Sequence, residues 1–560
     1  MTRPGWPGLP LAFCIVLGLS GCTGCPGGGD GPDGGEPDGG EPDGGAADAG
    51  VPSITPPGAT VNPAAQQGFG VVSGTGPFTW SFSSNQSGAS LVAAKDHVPM
   101  RTAPGLSGVA QWQHWGAGQP VVLRDNHGNH ELFTFGSPGA PSGKLHLLRS
   151  SDEGDTWSWV SPDTYAQPVD SEINAGVMSV AQDGAGTVHL LYFRSGYLDV
   201  AYYRMTLTYS AGAITGYTAL TGPIVIPGSY NGDTRAVIRT VRTAGGAEVL
   251  AVLVTASDPG GSRLQGSMCI TSTLAPASAA DFKNLAGAGG AATRIVDDVR
   301  GIGGSHDHTI LFAQLDSSRD LWVFSGNVPA EPGPTASTTI NRVQLTATGQ
   351  TWTPGTLTDG STSNAWLMGI AGTARYVWVM FGRYADGQVR FARVNAAGGY
   401  EEPVASIPSP VSDARIDQTQ FGVFTVNPDE TRIWAIFTRD PGPQGSWYDF
   451  TPTAAYWSGS AWQVRGDAPR GDTGAISYAE GFASSVGWDT GVVGLMTKTD
   501  GTSFNGAIQL AAMRTPEAAD GGTSLSSRVI YTAGPAGRST DQVMVTDSAG
   551  ASASATVVVP

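Results

Sequence analysis

Charge is scarce in this chain, and basic charge scarcer still. Only 14% of its 560 residues are Asp, Glu, Lys or Arg, against roughly a quarter in ordinary soluble domains. The 30 Lys and Arg are outnumbered by 47 Asp and Glu, for a net charge of −17. So few cations cannot neutralise a phosphate backbone, which excludes nucleic acid as a partner. Cysteine is nearly absent: with four in the whole chain there is no disulfide framework. Cys269, alone in Ser267-Met268-Cys269-Ile270, is expected to be a buried structural thiol. Long apolar runs are missing, and Leu9 to Leu19 is too short for a permanent membrane span. Also missing are GxSxG, HExxH and a phosphate-cradling glycine loop ahead of a helix, so those chemistries are set aside and no cofactor is expected. His306-Asp307-His308 puts two imidazoles on one face of an extended segment. No further ligands follow at a recognisable spacing, and no metal is expected.

Glycine is abundant instead, at 80 residues, about twice its usual share. That is the composition of a turn-rich, all-β chain. The N-terminal segment stands apart. Leu19-Ser20-Gly21-Cys22 resembles the lipobox of bacterial lipoproteins. The resemblance implies a signal peptide over 1–22 and lipidation at Cys22. It also implies residence at the bacterial cell envelope, on the outer membrane or cell surface, with each buried CH₂ of the anchor worth about 0.8 kcal/mol. Residues 23–50, with GGEPDGGEPDGG, are too polar and too rich in breakers to bury a core and are expected to be a disordered tether. Seven acids fall between 26 and 50, which leaves residues 51–560 only mildly acidic at −11.

Between the two ends one apolar, alternating segment returns. It starts at His130 (HELFTFG), Val188, Glu248, Asp320, Tyr376, Arg432 and Val492, at spacings of 58, 60, 72, 56, 56 and 60 residues. A period of this size in a β-rich region predicts a propeller, in which each four-stranded blade buries its faces against its neighbours. Seven recurrences predict seven blades. In the first unit PVVLRD, HELFTFG, KLHLLRSS and TWSWVSP read as strands one to four, and a piece of 97–115 is expected to complete the last blade.

Ser150-Ser151-Asp152-Glu153-Gly154-Asp155-Thr156-Trp157 resembles the Asp box of sialidases and other β-propellers. Ser150, Asp152, Gly154, Thr156 and Trp157 fill every position of the S-x-D-x-G-x-[ST]-W pattern. Asp152 is suited to bond the turn's own backbone, Gly154 to take positive φ, and Trp157 to pin the hairpin with apolar area. Sialidases have six blades, which keeps six open as the alternative. The two flanks are similar to halves of a bacterial immunoglobulin-like domain. Residues 51–94 carry opening strands with GTGPFTWSF, and 529–560 supply closing strands in VIYTAG and DQVMVTDSAGASASATVVV. The expected organisation is a β-propeller over 95–528 inserted in one loop of that β-sandwich.

Ligands of propellers gather near the axis, on loops leading into the innermost strands. There this chain concentrates its few charges, among them Asp170, Arg235, Arg300, Arg415, Asp417, Tyr478 and Glu480. Arg235, Arg300 and Arg415 come from three units, and converging guanidinium groups suit a carboxylate or sulfate. Sialidases hold a substrate carboxylate with an arginine triad, and use a tyrosine nucleophile activated by glutamate, with an aspartate acid. By that resemblance Tyr478 and Glu480, which face one side at i and i+2 of an extended segment, correspond to the nucleophile pair, and Asp170 or Asp125 to the acid. A propeller-type polysaccharide lyase would instead use His127 or His130 as base beside Asp125. The sequence departs from sialidases ahead of the first blade, where Val98-Pro99-Met100-Arg101 stands in place of Arg-Ile-Pro. Trp112 and Trp115 are expected in the core of the closing blade. The leading expectation is therefore non-catalytic binding of a glycan or a cell-surface protein. The alternatives are an exo-acting sialidase-like glycoside hydrolase, a polysaccharide lyase, and a structural envelope protein.

Overall fold

The computed structural model describes residues 51–560 apart from 94–100, 103–120, 137–144, 161–172, 195–198, 227–230, 258–263, 299–308, 327–338, 384–387, 408–421, 440–450, 468–480, 497–507, 519–523 and some shorter stretches. The described chain is almost wholly β, its one helical element being the 3-10 turn Ala279–Asp281.

Seven antiparallel sheets follow one another among the described residues, the first six with their strands in up-and-down order, the third and fourth with one further strand each off that path. The first is Val122–Arg124, Leu132–Gly136, His146–Ser150 and Ser158–Trp159, counted from inside to outside. The innermost strands of the next six begin at Ile173, Asn231, Thr309, Ala365, Gly422 and Gly481. All seven apolar segments of the sequence repeat are second strands, where both faces are covered and alternation gives way to nearly continuous burial. The one long spacing, 72 residues, holds extra pairing in the third sheet. There both Phe282–Lys283 and Thr293–Asp298 lie against Leu264–Thr271.

Each sheet is joined to the next through its inner strands. Gln182 Nε2 donates to Asp125 Oδ1 at 2.8 Å between the first and second sheets, and the Ile238 amide donates to Ser179 Oγ at 3.2 Å between the second and third. Gln314 accepts from the Arg242 amide (2.7 Å) and donates to the Arg242 carbonyl (2.6 Å), fastening the fourth sheet to the third. The Asp316 amide bonds the Thr373 carbonyl at 3.1 Å, and Thr373 Oγ1 donates to Glu430 Oε1 at 2.7 Å, which carries the chain of contacts to the sixth. Gly491 lies under the Ile436 side chain, and Ser484 Oγ accepts from the amides of Val121 and Val122 at 3.0 and 3.1 Å. The seventh sheet therefore meets the first. Its outer strand is Arg101–Thr102, paired with Gln509 and Leu510, so the chain closes its ring with a strand that precedes the first sheet. The chain is an all-β propeller.

Strands from the two chain ends interleave in two further sheets. One runs Ser53–Thr55, Gln66–Ser73, Arg528–Thr532, Ser90–Ala93, and the other Gly58–Thr60, Ser552–Val559, Ser539–Thr546, Thr79–Ser84. Arg528–Thr532 has first-half strands on both sides, with Ile530 opposite Gly68 and Val92. Phe69, Val71, Phe78, Tyr531, Val543, Val545 and Val557 form a common core, so neither half encloses it alone. Asp541, fully buried, crosses the same divide: it accepts from the amides of Gln86 (2.6 Å) and Ser87 (2.9 Å) and from the hydroxyls of Ser87 (2.5 Å) and Tyr531 (2.6 Å).

Candidate functional site

The up-and-down order divides the connections between two opposite edges of the ring. Segments entering the innermost strands, and those from second to third strands, reach one edge. Hairpins from first to second and from third to fourth strands form the other. Asp170 precedes the inner strand Ile173–Gln182, Arg415 and Asp417 precede Gly422–Val426, and Tyr478 and Glu480 directly precede Gly481–Gly487. Arg300 belongs to the segment ahead of Thr309–Gln314, and Arg235 is in the strand Asn231–Arg242, opposite Thr255. The side chains of all seven lie outside the described residues, as do Cys22, Trp112, Trp115 and His306-Asp307-His308.

The hairpin Ser150–Trp157 is on the opposite edge, between the third and fourth strands of the first sheet. Ser150 Oγ donates to Asp152 Oδ1 and accepts from the Gly154 amide, both at 2.8 Å. Asp152 takes the Thr156 amide on Oδ1 (2.8 Å) and the Thr156 hydroxyl on Oδ2 (2.6 Å). Gly154 has φ +89°, and Trp157 is buried. One carboxylate thus takes two donors of the turn, while Gly154 takes the left-handed geometry without a Cβ penalty.

Asp125 and Glu131 close the neck of the hairpin between the first two strands, the Asp125 amide donating to the Glu131 carbonyl at 2.8 Å. Asp125 is fully buried and accepts from Gln182 Nε2 (2.8 Å) and the Tyr209 hydroxyl (3.0 Å), both of the second sheet. Glu131 is equally enclosed, paired with Arg149 at 3.0 Å and accepting from the Ile214 amide at 2.9 Å. Burial pushes both carboxyls above their ordinary values, and the bonds from Gln182 and Tyr209, or from Arg149 and Ile214, only partly offset it. The His127 ring is exposed, with Nδ1 2.5 Å from Asn126 Oδ1, and it lies over Gly186. His130 has φ +57°, and burial lowers its pKa. Neither imidazole bonds Asp125.

This corrects one expectation. Asp125 is separated by the length of a strand, at about 3.3 Å per residue, from the edge that Tyr478 and Glu480 enter. At that separation it does not reach the edge where the acid of a sialidase-like site is expected. It joins two sheets. The sequence carries no signal for this role, because Gln182 and Tyr209 lie 57 and 84 residues away. His189 was equally unforeseen: fully buried, it bridges Tyr202 Oη (2.8 Å) and Asp183 Oδ2 (3.2 Å), and burial lowers its pKa. Cys269 is buried, its thiol pushed up to about 12 by burial, which removes it as a nucleophile. Among the described residues no group of three His, Cys, Asp or Glu could hold a metal ion.

Asp125→Asn tests the latch. A carboxyl whose folded pKa is raised stabilises the fold fully below its unfolded value, near 3.8, and loses that contribution as pH rises through the folded value. Asparagine keeps an acceptor for Gln182 and Tyr209 without the buried charge. The melting temperature at pH 7 is therefore expected to hold or rise. Thermal melts showing a large fall at pH 7 would mean that the charge itself holds the sheets together.

No family model matches the sequence, and no curated protein matches it. Among solved structures the chain is similar to puromycin hydrolase, with TM-score 0.37 and 12% identity over 82% of this chain and 56% of that one. It is similar to a polysaccharide lyase (TM-score 0.38, 8% identity, 76% of this chain and all of that one). It is also similar to an α-L-arabinanase of Penicillium chrysogenum complexed with arabinobiose (TM-score 0.33, 11% identity, 76% and 98%). The chain spans about half the length of the puromycin hydrolase structures. The strand order makes the fold a propeller.

Proposed function

We propose that this chain is a carbohydrate-active propeller of seven blades, inserted in an immunoglobulin-like sandwich and tethered to the bacterial envelope through a lipid on Cys22. Its substrate is an acidic glycan, and its site is the edge entered by the segments leading to the innermost strands. The supporting observation is the strand order. It sends the segments carrying Asp170, Arg235, Arg300, Arg415, Asp417, Tyr478 and Glu480 into the same end of their respective inner strands. In this reading Arg235, Arg300 and Arg415 hold a carboxylate, Tyr478 activated by Glu480 is the nucleophile, and Asp170 is the acid of an exo-acting glycoside hydrolase. A polysaccharide lyase is the other catalytic form.

Binding without catalysis is the second reading, and one observation favours it. Arg101, the arginine nearest the place of the sialidase Arg-Ile-Pro motif, belongs to the outer strand of the seventh sheet. Three strand spacings, about 14 Å, separate that strand's backbone from the inner one. The two readings separate on products. Purified protein incubated with sialylated oligosaccharides and with oligouronates is expected to release a free terminal acidic sugar. An unsaturated uronate product would assign the lyase form, and retention of intact glycan would assign binding. Absence of both turnover and retention would overturn the proposal. For the anchor, Cys22→Ser is expected to move the protein from the membrane fraction to the soluble one, and continued fractionation with membranes would remove the lipobox assignment.

A further inference from the structure

The hairpin Ser150–Trp157 stands where the ring closes. Glu153, its fourth residue, sits at φ +62°, a left-handed conformation that a non-glycine residue adopts at a cost. Its side chain is buried and takes both terminal nitrogens of Arg124, at 2.7 and 2.5 Å. Arg124 also donates from Nε to the Val486 carbonyl of the seventh sheet at 3.2 Å. On its other side Glu153 lies against Gly68 of the sandwich, where a Cβ would overlap Oε1 and come within 2.6 Å of Cγ. Gly154 backs onto the seventh sheet, and a Cβ there would be 2.8 Å from the Ala512 Cβ. Trp157 then packs in one apolar cluster with Val486, Val492 and Leu510 of that sheet. One hairpin of the first sheet thus touches both the seventh sheet and the sandwich.

The seam is also joined by Ser484 Oγ, which accepts from the amides of Val121 and Val122. Its closing strand, Arg101–Thr102, pairs over two residues, and only a few residues separate it from the sandwich strand Ser90–Ala93. The bidentate pair of Arg124 with Glu153 is charge-assisted and almost entirely desolvated. We infer that the Ser150–Trp157 hairpin fastens the ring seam to the sandwich through Glu153 and Arg124, so that the sandwich, built from both chain ends, holds the propeller shut. The seam opens only when the sandwich releases it.

Hydrogen exchange measured by mass spectrometry on the full chain tests the coupling. Glu153→Ala is expected to raise exchange by about tenfold or more in the seam strand Ile508–Arg514 and in the sandwich strand Gln66–Ser73, and to leave the fourth and fifth sheets unchanged. Asp541→Asn, which alters only the sandwich, is expected to speed exchange in Ile508–Arg514 as well. Gly68→Ala, which displaces Glu153 without removing it, carries the same expectation at the seam should Glu153→Ala fail to fold. A sandwich loosened by Asp541→Asn beside an unchanged seam would overturn the inference, as would Glu153→Ala effects confined to the hairpin itself.

Discussion

Asp541→Ala is expected to destabilise the sandwich by about 3 to 5 kcal/mol, the range for stripping the acceptor from several buried donors at once. The substitution leaves the Tyr531 and Ser87 hydroxyls and the Gln86 and Ser87 amides without their carboxylate. These groups belong to opposite ends of the chain, so the loss falls on the contact that joins the halves. The pH dependence gives a second check. Burial alone pushes the carboxyl up, but the bonds from Ser87, Tyr531 and the two amides outweigh it, so Asp541 sits below its ordinary 3.8. A depressed folded pKa means the stabilisation is fully present above the unfolded value and is lost as pH falls through the folded one. Thermal melts of the two proteins are expected to differ most at neutral pH and to converge below about pH 4. A difference that persists undiminished in acid would show that the carboxylate's charge is not what matters.

Tyr478→Phe carries the other large effect. If the tyrosine is the nucleophile, removing its oxygen lowers turnover by about 10³-fold or more, with glycan affinity retained because the arginines are untouched. Glu480→Gln is expected to show the same split with a smaller loss. Steady-state rates and a binding isotherm on each variant check this directly. Undiminished turnover in Tyr478→Phe would remove the nucleophile assignment and leave the edge as a binding surface.

The repeat was legible because a second strand is covered on both faces. Continuous apolar runs such as Tyr376–Arg383 and Ile433–Arg439 therefore recur wherever a sheet is sandwiched between two others. The local bonds of the Ser150–Trp157 hairpin were legible because they stay within eight residues. Pairing between the chain ends was suggested by the missing closing strands of the first half, and in the structure Tyr531 and Val545 share a core with Phe69 and Trp80. The junctions between sheets were not legible. Asp125 reads as a loop acid of the first hairpin, and nothing local reports that Gln182 and Tyr209 arrive from the next sheet to bury it. Glu153 occupies a position the Asp-box pattern leaves free, so its burial against Gly68 is invisible to a motif. Contacts of this kind depend on how sheets face one another, a property of the ring and not of any segment.

The location of the glycan site is the central claim, and hydrogen-exchange footprinting of the full chain, with and without a sialylated oligosaccharide or an oligouronate at saturation, tests it most directly. Protection is expected at the N-terminal ends of the inner strands beginning at Ile173, Asn231, Gly422 and Gly481, and is expected to vanish in Arg300→Ala. Protection confined to the opposite edge, around Asn126, His127 and Gly186, would contradict the account.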